Sequence, residues 1–150
     1  MSAVALITGG QQGIGLGIAR KLKEAGFKLA LASEQPPDAP AVTAALEELG
    51  GCARYFQHDL AQIHAVPALL DAVDAELGCV TCLVSNAGVG APERGDLLDL
   101  PPENWDFVQD INLKGSFFLA QAVAQRMLSA RSEATGATIP VDGGLSIARR

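Results

Sequence analysis

Between positions 8 and 15 the sequence reads Thr8-Gly9-Gly10-Gln11-Gln12-Gly13-Ile14-Gly15, directly after the apolar run Val4-Ala5-Leu6-Ile7. Small residues after a strand let the backbone turn sharply and come close to an anion. The free N–H groups and positive end of a following helix then stabilise that anion. Ile14, Ile18 and Leu22 recur at helical spacing beyond the loop, with Gly26 as a helix stop. Glycines alone also serve ordinary tight turns; strand, loop and helix in this order point instead to a pyrophosphate site.

Other reactive residue types carry weaker signals. Cys79 and Cys82 form a C-x-x-C, but Cys82-Leu83-Val84 has the character of a strand interior. A redox pair needs a helix start after the first thiol, and a zinc site needs two more ligands at metal spacing. His58 and His64 stand apart from any ligand pattern and are expected in ordinary polar or surface roles, so no metal site is expected. Three cysteines close no disulfide framework and suit a reducing compartment. A net charge of -6 argues against a nucleic-acid partner, since phosphate binding needs clustered cations. No basic region precedes the first apolar run and no stretch is long enough to span a bilayer, so a cytoplasmic protein with no membrane partner is expected.

The elements that must position these residues alternate short apolar runs with amphipathic segments, the pattern of βαβ units. A second strand is expected over Lys28 to Ala32, a proline-rich loop from Gln35 to Pro40, and a helix around Val42 to Leu49. A third strand spans about Ala53 to Gln57. Val66, Leu69, Leu70, Val73 and Leu77 mark one helix face, and Val80 to Val84 forms a fourth strand closed by Asn86-Ala87-Gly88. From Leu100-Pro101-Pro102-Glu103 a run extends to Leu128 that is helix-compatible apart from Gly115, as one helix or two. Composition then shifts to Gly, Thr and Ala, closing in a short strand and turn over Ala137 to Gly144. The expectation is an α/β fold, a Rossmann-like doubly wound parallel sheet in three layers, built as one dinucleotide-binding domain over 1–150.

The spacing T-G-x-x-x-G-I-G resembles the short-chain dehydrogenase/reductase family. Four further segments resemble it in order: Ala5-Leu6-Ile7-Thr8, His58-Asp59-Leu60, Ser85-Asn86-Ala87-Gly88 and Ile111-Asn112-Leu113. The 3-oxoacyl-(acyl-carrier-protein) reductase-like members are the nearest in character, partly for the closing Gly136-Ala137-Thr138-Ile139-Pro140-Val141-Asp142-Gly143-Gly144. The resemblance implies an NAD(P)-dependent oxidoreductase acting on a small carbonyl or alcohol, assembled as a homodimer or homotetramer. The helix bearing Phe107, Ile111, Phe117, Phe118 and Val123 is a candidate interface or a core face.

It also implies roles for single residues. Gly9, Gln12, Gly13, Ile14 and Gly15 fall in the pyrophosphate loop, Asp59 and Leu60 at the adenine, and Asn86, Ala87 and Gly88 beside the adenosine ribose. Asn112 falls at the catalytic-site asparagine. Plain alternatives stand beside these: a strand end or cap for Asp59, a turn for Asn86 and Gly88, a helix kink or surface position for Asn112. Cofactor choice turns on the end of the second strand, where a carboxylate accepts the ribose hydroxyls of NAD and a cation favours the phosphate of NADP. Ser33 holds the usual acidic position and Glu34 follows; no Lys or Arg occurs between Lys28 and Arg54. The balance tips to NAD, with Arg20 and Lys21 the cations that a fold would have to bring round.

The family's chemistry uses a Ser, and a Tyr with a Lys four residues on, which lowers the Tyr pKa and holds the ribose. No Tyr-x-x-x-Lys occurs here: the one tyrosine is Tyr55, and Lys114 is the last lysine. The sheet is therefore expected to be incomplete, with a discontinuity near 128–134. Either an internal segment carrying the Ser, Tyr and Lys belongs there in the complete polypeptide, which is the reading favoured, or the chain is a shortened product. A catalytically silent dinucleotide-binding or dimer-forming module is the alternative function, and an α/β domain with no nucleotide ligand is a third.

Overall fold

A computed structural model describes residues 3–93 and 95–130. Strands β1 (Val4–Thr8), β2 (Lys28–Ser33), β3 (Ala53–Gln57) and β4 (Cys82–Val84) form one parallel sheet in the order β3-β2-β1-β4. Helices α1 (Gly13–Glu24), α2 (Pro40–Leu49) and α3 (Val66–Glu76) connect them, followed by α4 (Pro102–Gln109), a π-helical turn (Asp110–Gly115) and α5 (Ser116–Ser129). The three-layer, doubly wound expectation is met across these residues.

Period-two alternation sorts the strand side chains between two cores. Val4 and Leu6 of β1 and Ala30 and Ala32 of β2 face the layer of α3 and α5, where Leu70, Val73 and Leu119 are almost wholly buried. Ala5, Ile7, Leu29 and Leu31 face α1 and α2, packing with Ala19, Ala45 and Leu49. Apolar residues on both faces explain why β1 and β2 read as continuous hydrophobic runs.

Several boundaries differ from the expected ones for identifiable reasons. Strand β4 begins at Cys82 rather than Val80 because Thr81 meets β1 partly through its side chain: its Oγ1 accepts from Val4 N (3.1 Å) and donates to Val4 O (3.2 Å). Helix α2 starts two residues early, at Pro40, a position that has no N–H to satisfy. Ile14 does not join the core face of α1; it is 78% exposed, and Leu16, Ile18 and Leu22 supply the packing instead. The long helical run is continuous, and its local irregularity is the π turn. At Gly115 an added Cβ would lie 2.2 Å from the carbonyl oxygen of Leu60, so only glycine lets the helix approach the loop after β3 this closely.

The helix face proposed from sequence divides. Val123 is buried and Ile111 packs against the core, whereas Phe107, Phe117 and Phe118 are exposed. The closing strand over 137–144 and most of the junction at 128–134 lie outside the described residues.

Candidate functional site

The chain leaves β1 in one direction to form β2 and β3, then returns to place β4 on the other side of β1. The helices that follow β1 and β4 therefore pack on opposite faces of the sheet, leaving a crevice at the carboxyl ends of the strands, where ligands of open α/β sheets bind. A cavity of about 320 Å³ occupies this place, lined by the loop after β1, the ends of β2 and β3 and the segment after β4.

Its floor is built from Thr8. This buried hydroxyl accepts hydrogen bonds from the backbone N–H groups of Asn86 and Ala87, both at 3.0 Å. Asn86 answers by donating its side-chain amide to the carbonyl oxygens of Thr8 (2.9 Å) and Gly9 (3.3 Å). The loops after β1 and β4 are thus laced together without help from the sheet ladder. A Cβ at Gly15 would stand 2.2 Å from Gly9 O and 2.6 Å from the Asn86 amide, so the helix start is seated directly on this lacing.

Helix α1 opens into the cavity through Gln12, Gly13 and Ile14. No side chain caps its N-terminus and its first turn holds no acidic residue, while Lys21 and Lys23 occupy its last turn. The exposed donors and the positive end of the dipole face a cavity wide enough for a ligand, an arrangement suited to a phosphate.

At the far end lie Ser33 and Glu34, leaving β2, and Asp59 and Leu60, following β3. Asp59 Oδ1 accepts from Ala61 N at 2.9 Å, so the side chain does stabilise the local turn while also lining the cavity. Arg20 and Lys21, the two cations that the fold would have to bring round to Glu34, are engaged elsewhere. Arg20 makes a two-pronged pair with Glu48, one arm at 2.9 Å, and Lys21 pairs with Glu24 at 2.8 Å.

Asn112 sits within the π turn. Its Oδ1 accepts from Val89 N and its Nδ2 donates to Val89 O, each at 2.8 Å, so it ties the helix to the segment that follows Gly88. The structure gathers Gly9, Gln12, Gly13, Ile14, Ser33, Glu34, Asp59, Leu60, Asn86, Ala87 and Gly88 around one cavity; Gly15 and Asn112 stand behind it as supports.

Sequence reasoning missed Thr8 as a fastener, and it missed Gln11 and His58. Both are buried and line the cavity, and Gln11 Oε1 and His58 Nε2 have no hydrogen-bond partner among the described residues. Burial pushes the His58 imidazole below its usual pKa, an effect partly offset by Asp59. Of the ordinary polar or surface roles expected for the two histidines, His58 is buried rather than at the surface, whereas His64 is exposed. The available signal was parity: position 58 shares the strand face of buried Phe56. The C-x-x-C is divided between exposed Cys79 and Cys82 at the start of β4, whose thiol burial pushes up. Among the described residues no three of His, Cys, Asp and Glu are grouped to hold a metal ion, and no helix is long and apolar enough to cross a membrane.

Comparison with known proteins agrees with this architecture. Residues 3–142 match the model of the short chain dehydrogenase family. A 3-oxoacyl-[acyl-carrier protein] reductase from Brucella melitensis, solved in complex with NAD, is 44% identical with a TM-score of 0.77, over 93% of this chain and 53% of that one. The actinorhodin polyketide ketoreductase, solved as an F189W variant with NADPH, is 32% identical with a TM-score of 0.76, over 86% of this chain and 49% of that one. D-threitol dehydrogenase of Mycolicibacterium smegmatis is 39% identical over 127 residues, 85% of this chain and 48% of the relative. The chain belongs to the short-chain dehydrogenase family. It spans about half the length of these relatives.

Proposed function

We propose that the complete polypeptide is an NAD(P)-dependent oxidoreductase, 3-oxoacyl reductase-like, that interconverts a carbonyl and an alcohol on a small molecule. The observation that carries this reading is the uncapped start of α1, opening into a cavity whose walls are laced by Thr8 and Asn86. Gly9, Gln12, Gly13 and Ile14 would hold the pyrophosphate, with Gly15 keeping the helix start close. Glu34 and Ser33 would meet the adenosine ribose, Asp59 and Leu60 the adenine, and Asn86 to Gly88 the floor beside them. The nicotinamide, when bound, supplies or accepts the hydride. Asn112 is the catalytic-site position present, and it acts on the segment after Gly88 through Val89.

Glu34 favours NAD, because a carboxylate accepts ribose hydroxyls and repels a phosphate there. The engagement of Arg20 by Glu48 and Lys21 by Glu24 supports that choice. The Ser, Tyr and Lys of the chemistry belong to an internal segment near 128–134; relatives about twice as long, with similarity reaching residue 142, support this placement. Cytoplasmic location and assembly as a homodimer or homotetramer through the exposed aromatics of α4 and α5 complete the reading.

Titration of the purified protein with NADH and NADPH, followed by nicotinamide fluorescence, tests the cofactor site, and assays across ketones and alcohols test turnover. Binding with NAD preferred and cofactor-dependent turnover are expected. Failure to bind either cofactor would overturn the reading. Binding without turnover, together with an intact mass equal to that of these 150 residues, would instead favour a silent binding module, the alternative raised by the absence of Tyr-x-x-x-Lys.

A further inference from the structure

The loop leaving β2 is gripped from the neighbouring strand. Leu31 of β2 stands opposite Tyr55 of β3, and the Tyr55 side chain reaches along β2 toward the loop beyond its end. Its hydroxyl lies 2.7 Å from Ser33 Oγ, 2.6 Å from Gln35 O and 3.0 Å from Ser33 O. A phenol has one proton to give and can also accept. The shortest carbonyl contact has the phenol donating to Gln35 O, with the Ser33 hydroxyl donating to the phenol oxygen. Ser33 Oγ in turn accepts from Gln35 N at 3.3 Å, closing a small ring of hydrogen bonds around residue 34.

Two more bonds complete the hold. His58 N donates to Ser33 O at 2.8 Å, and Gln57 Nε2 donates to Glu34 O at 3.1 Å. The carbonyls of residues 33, 34 and 35 are thus all occupied by groups from β3 or the residue just beyond it. The Glu34 carboxylate remains without a cation partner among the described residues, at the edge of the cavity.

We propose that Tyr55 is a positioning residue for cofactor choice: by clamping Ser33 and Gln35 it fixes the Glu34 carboxylate where an adenosine ribose with free 2′- and 3′-hydroxyls is accepted and a 2′-phosphate refused. This rests on the reading of the cavity as a dinucleotide site. Glu34 follows the strand rather than ending it, so its direction is set by loop conformation, and two of the hydrogen bonds defining that conformation, to Gln35 O and from Ser33 Oγ, end on one phenol oxygen. Without them the carboxylate is free to swing toward solvent, which weakens its bond to the ribose and relieves its repulsion of phosphate together.

Dissociation constants for NADH and NADPH are measured on the full chain and on Tyr55→Phe, Glu34→Gln and the double variant, with circular dichroism to establish folding. Tyr55→Phe is expected to lower the preference for NADH over NADPH about tenfold, and to add little once Glu34 is already Gln, since residues acting through one contact are non-additive. Gln57→Ala, an exposed substitution in the same clamp, is expected to lower the preference in the same direction by a smaller factor, and it serves if Tyr55→Phe does not fold. A folded Tyr55→Phe protein with equally reduced affinity for both cofactors has lost structure alone and overturns the proposal. So does an undiminished effect in the Glu34→Gln background, or, where Tyr55→Phe does not fold, an unaltered preference in Gln57→Ala. A parent protein that binds neither cofactor overturns the dinucleotide reading itself, a result distinct from binding with an unmoved preference.

Discussion

His58 places an ionisable ring where water is scarce, beside Asp59 and with Nε2 unpartnered among the described residues. Desolvation holds its pKa down in the folded state, with the Asp59 charge opposing but not cancelling the effect. The unfolded chain therefore binds more protons than the folded one between the lowered pKa and the ordinary imidazole value of about 6.5. Stability from this group is complete above that value and is lost as pH falls toward the folded pKa. Thermal melts from about pH 7.5 down to about pH 5 are expected to show this loss, and His58→Gln is expected to flatten it. An identical pH slope in the variant would assign the loss to other groups.

Helices α4 and α5 and the turn between them pack beside the cavity, which the turn reaches through Ile111, and their approach to the loop after β3 depends on one missing side chain. Alanine at position 115 would gain up to about 1 kcal/mol in helix propensity. Its Cβ would also meet the Leu60 carbonyl at 2.2 Å, and forcing a packed element aside costs about 1–3 kcal/mol. The steric cost wins. Gly115→Ala is expected to lower the melting temperature by several degrees and weaken NADH binding, because Leu60 lies in the cavity wall; a raised melting temperature would show that the helix has slack. Farther along, Arg126 ties α5 to α3 through Asp71 at 2.5 Å and Asp74 at 2.7 Å.

On the scale of the whole molecule, the surface of α4, the π turn and α5 carries Trp105, Phe107, Leu113 and Phe117, each at least 41% exposed, with Phe118 edge-on to Phe117 at 5.3 Å. Exposed aromatics in one region of a domain favour association, and a two-fold interface would bury each copy's patch against the other. Sedimentation of the complete polypeptide is expected to give a dimer or tetramer, shifted toward monomer by Phe117→Ser. A parent protein that stays monomeric at all concentrations would remove this surface from the assembly.

The sequence by itself determined the βαβ order, the glycine loop between β1 and α1 and most residues of the cavity, because strand and helix periodicities are local and a glycine loop between them has few uses. It also made the missing Tyr-x-x-x-Lys plain. What only tertiary structure decided were relations across distant segments: Thr8 fastening Asn86, Gly115 admitting Leu60, Glu48 taking Arg20, and Tyr55 gripping the loop that carries Glu34. Ile14 shows the same limit, since it shares helical spacing with Ile18 and Leu22, yet it is exposed and lines the cavity. Periodicity tells which face a residue shares. Which partner meets that face depends on how the loops close around the sheet, and that is fixed by packing between residues far apart in the chain.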